Sequence, residues 1–139
     1  MNIRVFNFDS DYEKVLELWR NAGPGVQLSP SDEPGEILKK LKRDPDLFLV
    51  AELNGAIVGA VLGGFDGRRG LVYHLAVVSE YRRSSFGIQL MEELEKRLRE
   101  KGCYKYYLLV SEDNLIAREF YESLGCEMMD MRLMGKVLG

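Results

Sequence analysis

The run Leu71-Val72-Tyr73-His74-Leu75-Ala76-Val77-Val78, near the middle of the chain, is almost entirely apolar or aromatic. Without polar alternation, such a run predicts a strand buried on both faces, the centre of a sheet. A polar turn follows, and then Phe86, Leu90, Leu94 and Leu98 recur every four residues. Glu92 with Lys96, Glu93 with Arg97 and Glu95 with Arg99 are spaced as i,i+4 pairs, so a long amphipathic helix is expected from Ser84 or Ser85 until Gly102 ends it. Cys103 to Val110 is again strand-like. After Asp113-Asn114, the residues Ile116, Ala117, Phe120, Tyr121 and Leu124 fit another helix, stopped by Gly125. Strand, helix, strand, helix is the order that builds a parallel pair through a right-handed crossover.

The first half reads differently. Ile3, Val5 and Phe6 suggest a short first strand, and Ser10-Asp11-Tyr12-Glu13 has the form of a capping box opening a helix with Val15, Leu16 and Trp19 on its apolar face. Asn21 to Pro34, rich in Gly and Pro, reads as a long loop that either borders a substrate pocket or is a mobile connection. Ile37, Leu38 and Leu41 predict a second helix ending before Pro45. Leu47 to Leu53 and Ala56 to Phe65 flank Asn54-Gly55, a strong hairpin signal, and Asp66 to Gly70 forms a second turn. Cys126 to Leu138 suggests one or two closing strands. The expected fold class is α/β: a mixed sheet with antiparallel front strands, a central parallel pair and flanking helices, in a single domain over 1–139.

Bulk properties exclude several functions. The formal net charge of -3 lacks the basic excess that a nucleic-acid binder needs. The longest apolar stretch, Ala56 to Gly64, is far short of the roughly 20 residues of a membrane span, and no secretion signal is evident, so a cytoplasmic location is expected. Cys103 and Cys126 stand far apart without CxxC spacing, so they read as small buried hydrophobes and no metal is expected.

The chemistry points to the joint Val77-Val78-Ser79-Glu80-Tyr81-Arg82-Arg83-Ser84-Ser85-Phe86-Gly87. A helix N-terminus offers unsatisfied N–H groups and a partial positive charge to phosphate, and Arg82 or Arg83 has the chemistry to pair with phosphate oxygens. The alternative is a solvated turn with Ser84 or Ser85 as an ordinary cap.

The same segment, continued through Ile88-Gln89-Leu90, resembles the acetyl-coenzyme A motif of the GNAT acetyltransferases, V-x-P-x-Y-R-G-x-G-x-G-x-x-L. Asn114-Leu115-Ile116-Ala117-Arg118-Glu119-Phe120-Tyr121-Glu122-Ser123-Leu124-Gly125-Cys126 is similar to that superfamily's N-x-x-A-x-x-F-Y-E-x-L-G-F segment, and finer detail resembles its small YpeA-like members. The resemblance implies an N-acetyltransferase that moves an acetyl group from acetyl-CoA to a primary amine of a small molecule or protein. It implies that the backbone of Leu75, Ala76 and Val77 pairs with the pantetheine arm and that Arg83, Ser84, Ser85, Phe86, Gly87 and Ile88 hold the pyrophosphate. Asn114, with Ala117 in the same motif, would face the pantetheine, and Tyr121 would stand near the sulfur. A homodimer through the closing strands is implied by resemblance alone. Arg83 and Ser85 stand where the family commonly has glycine, and Ser79 where it has proline.

Acyl transfer to an amine needs a neutral amine, a donor for the developing oxyanion and a proton for the thiolate. A backbone N–H near Val77 suits the oxyanion, and Tyr121 is the expected acid. For the base there are two candidates, His74, the only histidine, and Glu112; a water chain would need neither. Asp32 or Glu33 would either attract a cationic acceptor or be an ordinary exposed charge. A non-catalytic acyl-coenzyme A binding or sensing module is the competing reading.

Overall fold

The computed structural model describes residues 1–139, which divide into two compact units, Met1–Leu109 and Val110–Gly139. The first contains β1 (Asn2–Val5), α1 (Phe8–Arg20), α2 (Pro34–Arg43), β2 (Phe48–Leu53), β3 (Ala56–Phe65), β4 (Gly70–Val77), α3 (Phe86–Glu100) and β5 (Tyr106–Leu108). Five strands form one sheet in the order β1-β2-β3-β4-β5. The first four pair antiparallel, and β4 with β5 is parallel, through Gly70, Leu71 and Val72 against Tyr106, Tyr107 and Leu108.

Local chemistry accounts for the hairpin and for the start of α1. Asn54 and Gly55 take φ of 52° and 81°, the left-handed pair that a two-residue turn between twisted strands requires. α1 begins three residues earlier than the Ser10-to-Glu13 pattern suggests. Asn7 is its cap, its side-chain oxygen accepting from the N–H of Ser10 at 3.2 Å, while Asp11 accepts from the N–H of Asn7 at 2.8 Å. An equally good capping residue lies upstream, and Asp11 completes the reciprocal arrangement from inside the helix.

Helices cover both faces of the sheet. Phe6, Tyr12, Val15, Trp19, Ile37, Phe48, Ala60, Leu62 and Ala76 form one buried cluster, so α1 and α2 lie on the face that Ala60 and Leu62 present. Phe6 and Phe48 stack with ring centroids 4.0 Å apart. The opposite face takes the buried stripe Leu90, Met91, Leu94 and Leu98 of α3. There Gly59 and Gly63 are needed for close approach, because a Cβ on them would lie 3.0 Å and 2.6 Å from the Leu90 and Leu94 side chains.

One irregularity interrupts the β3–β4 ladder. Leu62 pairs with His74, but Gly63 pairs with Val72, so Tyr73 is an extra residue on β4. The bulge brings Tyr73 and His74 to the same face. A Cβ on Gly64 would lie 3.1 Å from Tyr73, Lys40 of α2 lies over the Tyr73 ring, and His74 meets Trp19 of α1.

The second unit holds α4 (Leu115–Ser123), capped by Asn114, whose side chain accepts from the N–H of Ala117 at 3.2 Å. Two expectations are corrected by the structure. β5 is confined to Tyr106–Leu108 rather than running from 103 to 110, and residues 126–138 form no strand. Met131, Leu133, Met134, Val137 and Leu138 are exposed there, and spaced apolar residues without a partner ladder do not satisfy a strand's backbone. The cysteines are half-buried rather than fully buried.

Candidate active site

The candidate site of the first unit is the stretch where β4 passes into α3. Beyond Val72 the pairing with β5 stops, and from His74 to Val77 β4 is laddered on its β3 side alone. Unpaired strand N–H and C=O groups are a template for an extended ligand. Of the residues expected to use that edge, Ala76 is buried in the core, and Leu75 and Val77 are half-buried on the α3 face.

A short 3-10 turn, Ser79–Tyr81, carries the chain on, with the Tyr81 and Ser84 N–H groups donating to the Val78 and Tyr81 carbonyls. Arg82 reaches back across this joint, its Nε donating to the Val77 carbonyl at 3.1 Å and its Nη2 to the Asn21 carbonyl at 3.2 Å. It braces the joint to the end of α1. Arg83, Ser84 and Ser85 are exposed, while Phe86, Gly87 and Ile88 form the half-buried first turn of α3. The Gln89 N–H makes the bond to the Ser85 carbonyl that opens the helix, so the N–H groups of Gly87 and Ile88 precede it and point out of the helix end.

Serine and arginine fit this loop without strain. Ser85 has φ −82° and ψ 7°, and the only non-glycine residue with positive φ in the chain is Asn54. The glycine-like dihedrals that would make Ser85 costly are not adopted. Its hydroxyl accepts from Gln89 Nε2 at 2.6 Å and keeps its own proton to donate.

A second cluster lies on the α1 and α2 face of β4. His74 Nε2 is 3.0 Å from Asp32 Oδ1, and the two side chains are only 16% and 7% exposed. Asp32 closes a 3-10 turn, Pro30–Asp32, capped by Ser29, whose N–H donates to Asp32 Oδ2 at 3.1 Å. The Tyr12 hydroxyl donates to the Asp32 carbonyl at 2.9 Å. Trp19 meets His74 edge-on at a centroid distance of 4.8 Å. Asp32 is therefore neither an exposed charge nor a lure for a cationic acceptor, because its carboxylate is buried and already partnered.

These features are accompanied by a direct match: the Acetyltransferase (GNAT) family model covers residues 12–126. The chain belongs to the GNAT acetyltransferase family. This acetyltransferase is 45% identical to an acetyltransferase of Yersinia pestis over 139 residues, covering 99% of this chain and 96% of that one. Its fold is similar to that of the Chaetomium thermophilum Naa20 solved with a bisubstrate analogue, with TM-score 0.76 and 26% identity over 89% of this chain and 70% of that one. The Thermoplasma acidophilum PaiA N-acetyltransferase shares the fold at TM-score 0.79 and 21% identity, covering 94% and 92% of the two chains.

The remaining candidates of the acetyltransferase lie in the second unit. Asn114 caps α4 through Oδ1, which leaves its Nδ2 donors to other partners. Ala117 is half-buried on α4, and Glu112 is exposed in the turn before it. Tyr121 is partly buried, with Phe120 edge-on to it, and burial pushes its hydroxyl up to about 12, with Cys126 adding to the rise. Asp32 and Trp19 were not foreseen as neighbours of His74. One local signal did exist, Ser29-Pro30-Ser31-Asp32, which has the S-x-x-D form of a capping box with proline at its first position.

Proposed function

We propose that the protein transfers an acetyl group from acetyl-CoA to a primary amine, with residues 1–139 acting as one acetyltransferase domain. The observation that carries this reading is the half-laddered stretch of β4 running directly into the open N-terminus of α3. Such an arrangement would offer extended-ligand pairing and then anion binding along one path. A pantetheine arm fits the first part and a pyrophosphate the second. The residues present suit the donor: Leu75 to Val77 supply backbone groups, Gly87 and Ile88 supply N–H donors, and Arg83 and the Ser85 hydroxyl stand exposed beside them. When bound, acetyl-CoA supplies a thioester carbonyl activated toward attack.

The chain's own residues supply the rest. A Val77 backbone N–H stabilises the developing oxyanion, and His74 takes a proton from the attacking amine. Tyr121 would give its hydroxyl proton to the sulfur that leaves the thioester as the amine adds, and would be reprotonated from solvent, to which His74 would also release its proton. Asn114, whose Oδ1 is used by the cap, would have its Nδ2 to offer a pantetheine carbonyl. His74 is favoured over Glu112 because a carboxylate already orients its ring.

Calorimetry and an acceptor screen test this reading. The protein should bind acetyl-CoA, Gly87→Glu should abolish that binding, and thiol release should appear with at least one member of a panel of amino acids, polyamines and peptides with free N-termini. Absence of coenzyme binding by the wild type would overturn the donor assignment.

A further inference from the structure

His74 lies forty-two positions from Asp32, and the contact between them is built with more support than a chance surface pair receives. Asp32 is held at three points. Its Oδ2 accepts from the Ser29 N–H, its own N–H donates to the Ser29 carbonyl at 2.9 Å, and its carbonyl accepts from Tyr12. That leaves Oδ1 aimed at His74 Nε2 at 3.0 Å. A carboxylate only accepts hydrogen bonds, so a neutral imidazole facing it must carry its proton on Nε2, and the lone pair is then on Nδ1. Trp19 fixes the ring from another side.

We propose that Asp32 is a positioning residue that holds His74 in the Nε2–H tautomer and so makes Nδ1 the atom that accepts the proton from the acceptor amine. The inference rests on the reading of His74 as the base. It adds which nitrogen does the work and which residue, on a distant loop, decides it. Once Nδ1 has taken the amine proton, the ring is an imidazolium whose Nε2–H faces a carboxylate, a charge-assisted contact that stabilises the cation where it forms. The turn that ends at Asp32 thereby joins the loop of residues 21–34 to proton transfer.

His74 is the only histidine, so labelling the protein with 15N-histidine gives one pair of ring-nitrogen signals with no assignment problem. In the wild type, at a pH where the ring is neutral, the signals should report the Nε2–H tautomer. Asp32→Asn, whose amide can present either a donor or an acceptor, should mix or reverse the tautomers. It should lower kcat by about 100-fold and leave KM for acetyl-CoA within about threefold. The double variant Asp32→Asn/His74→Ala should be no slower than His74→Ala, because the two residues act as one unit. A wild-type ring protonated on Nδ1 would overturn the role of Asp32 while leaving His74 as base, and that measurement requires no variant to fold. Full turnover by His74→Ala would overturn the base itself, and Asp32→Asn with unchanged tautomer and unchanged kcat would overturn the coupling between the two.

Discussion

Arg82 Nε donates to the carbonyl of Val77 at 3.1 Å, so the arginine that follows the turn grips the last residue of the strand that precedes it. A second donor, Nη2, holds Asn21 at the end of α1. Both acceptors are carbonyls in fixed positions, and a planar fork can serve the two at once. Arg82→Lys should therefore fail to restore what Arg82→Ala loses, since a single ammonium on a flexible stem does not hold two carbonyls in that geometry. We expect either change to weaken acetyl-CoA binding by about tenfold in calorimetry, the worth of one charged hydrogen bond. Full recovery by Lys would show that charge alone matters.

Tyr121 has its hydroxyl pushed up to about 12, burial being the first cause. The sign is favourable for an acid. A raised value keeps the proton in place across the neutral range, and no loss of rate from ionisation of Tyr121 is expected until the pH approaches about 11. Tyr121→Phe should reduce kcat by about 100-fold with little change in acetyl-CoA affinity. Unchanged turnover would remove Tyr121 from the acid role.

The buried Asp11 gives the fold a dependence on acid. Burial alone would raise its carboxyl, but the paired bonds from Arg4 at 2.6 Å and 3.0 Å and the Asn7 N–H outweigh it, leaving Asp11 below the usual carboxylate range. A folded value below the unfolded one means stability that is fully present above about pH 4 and is lost as pH falls through the depressed value. Asp11→Asn should destabilise the protein by roughly 2 kcal/mol at neutral pH in urea titrations, with the difference from wild type shrinking below about pH 4. A constant difference from pH 7 to pH 3 would refute the linkage.

Gly63 lies beneath Leu94, where an added Cβ would come within 2.6 Å of its Cδ1. Leu94 is fully buried, so it has little freedom to yield. Gly63→Val should cost about 1 to 3 kcal/mol of stability, read as a lowered melting temperature, and Gly55→Ala should destabilise by a different route, through its positive φ of 81°. Stability equal to wild type for Gly63→Val would show that α3 can shift away from the sheet.

Features governed by neighbours in sequence were legible from the residues alone. Asn54-Gly55 marks a turn because few other residues accept both left-handed positions, and Leu90, Leu94 and Leu98 mark α3 because one face repeats. The start of α1 is ambiguous in the sequence because Asn7 and Ser10 both have the chemistry of a cap, and Asp11, which accepts from the Asn7 N–H, is itself held by Arg4 on a different element. Within the candidate site, the passage from β4 through a turn into α3 was visible as a joint between strand and helix. The His74 to Asp32 contact was not, since a bond across forty-two positions leaves no periodic trace in either segment. Nor does an apolar run announce a bulge: Tyr73 resembles any other member of β4 until its pairing with β3 is known.

That extra residue also works as the stop in a zipper. β5 is joined to β4 through Val72, and the join ends one position before the bulge. Deleting Tyr73 would leave every other β3 partner of β4 in place and would take away the local bend that turns the strand aside. The two parallel strands would then be free to keep closing, and the seam that a donor's extended arm is proposed to occupy would be filled by the protein's own backbone.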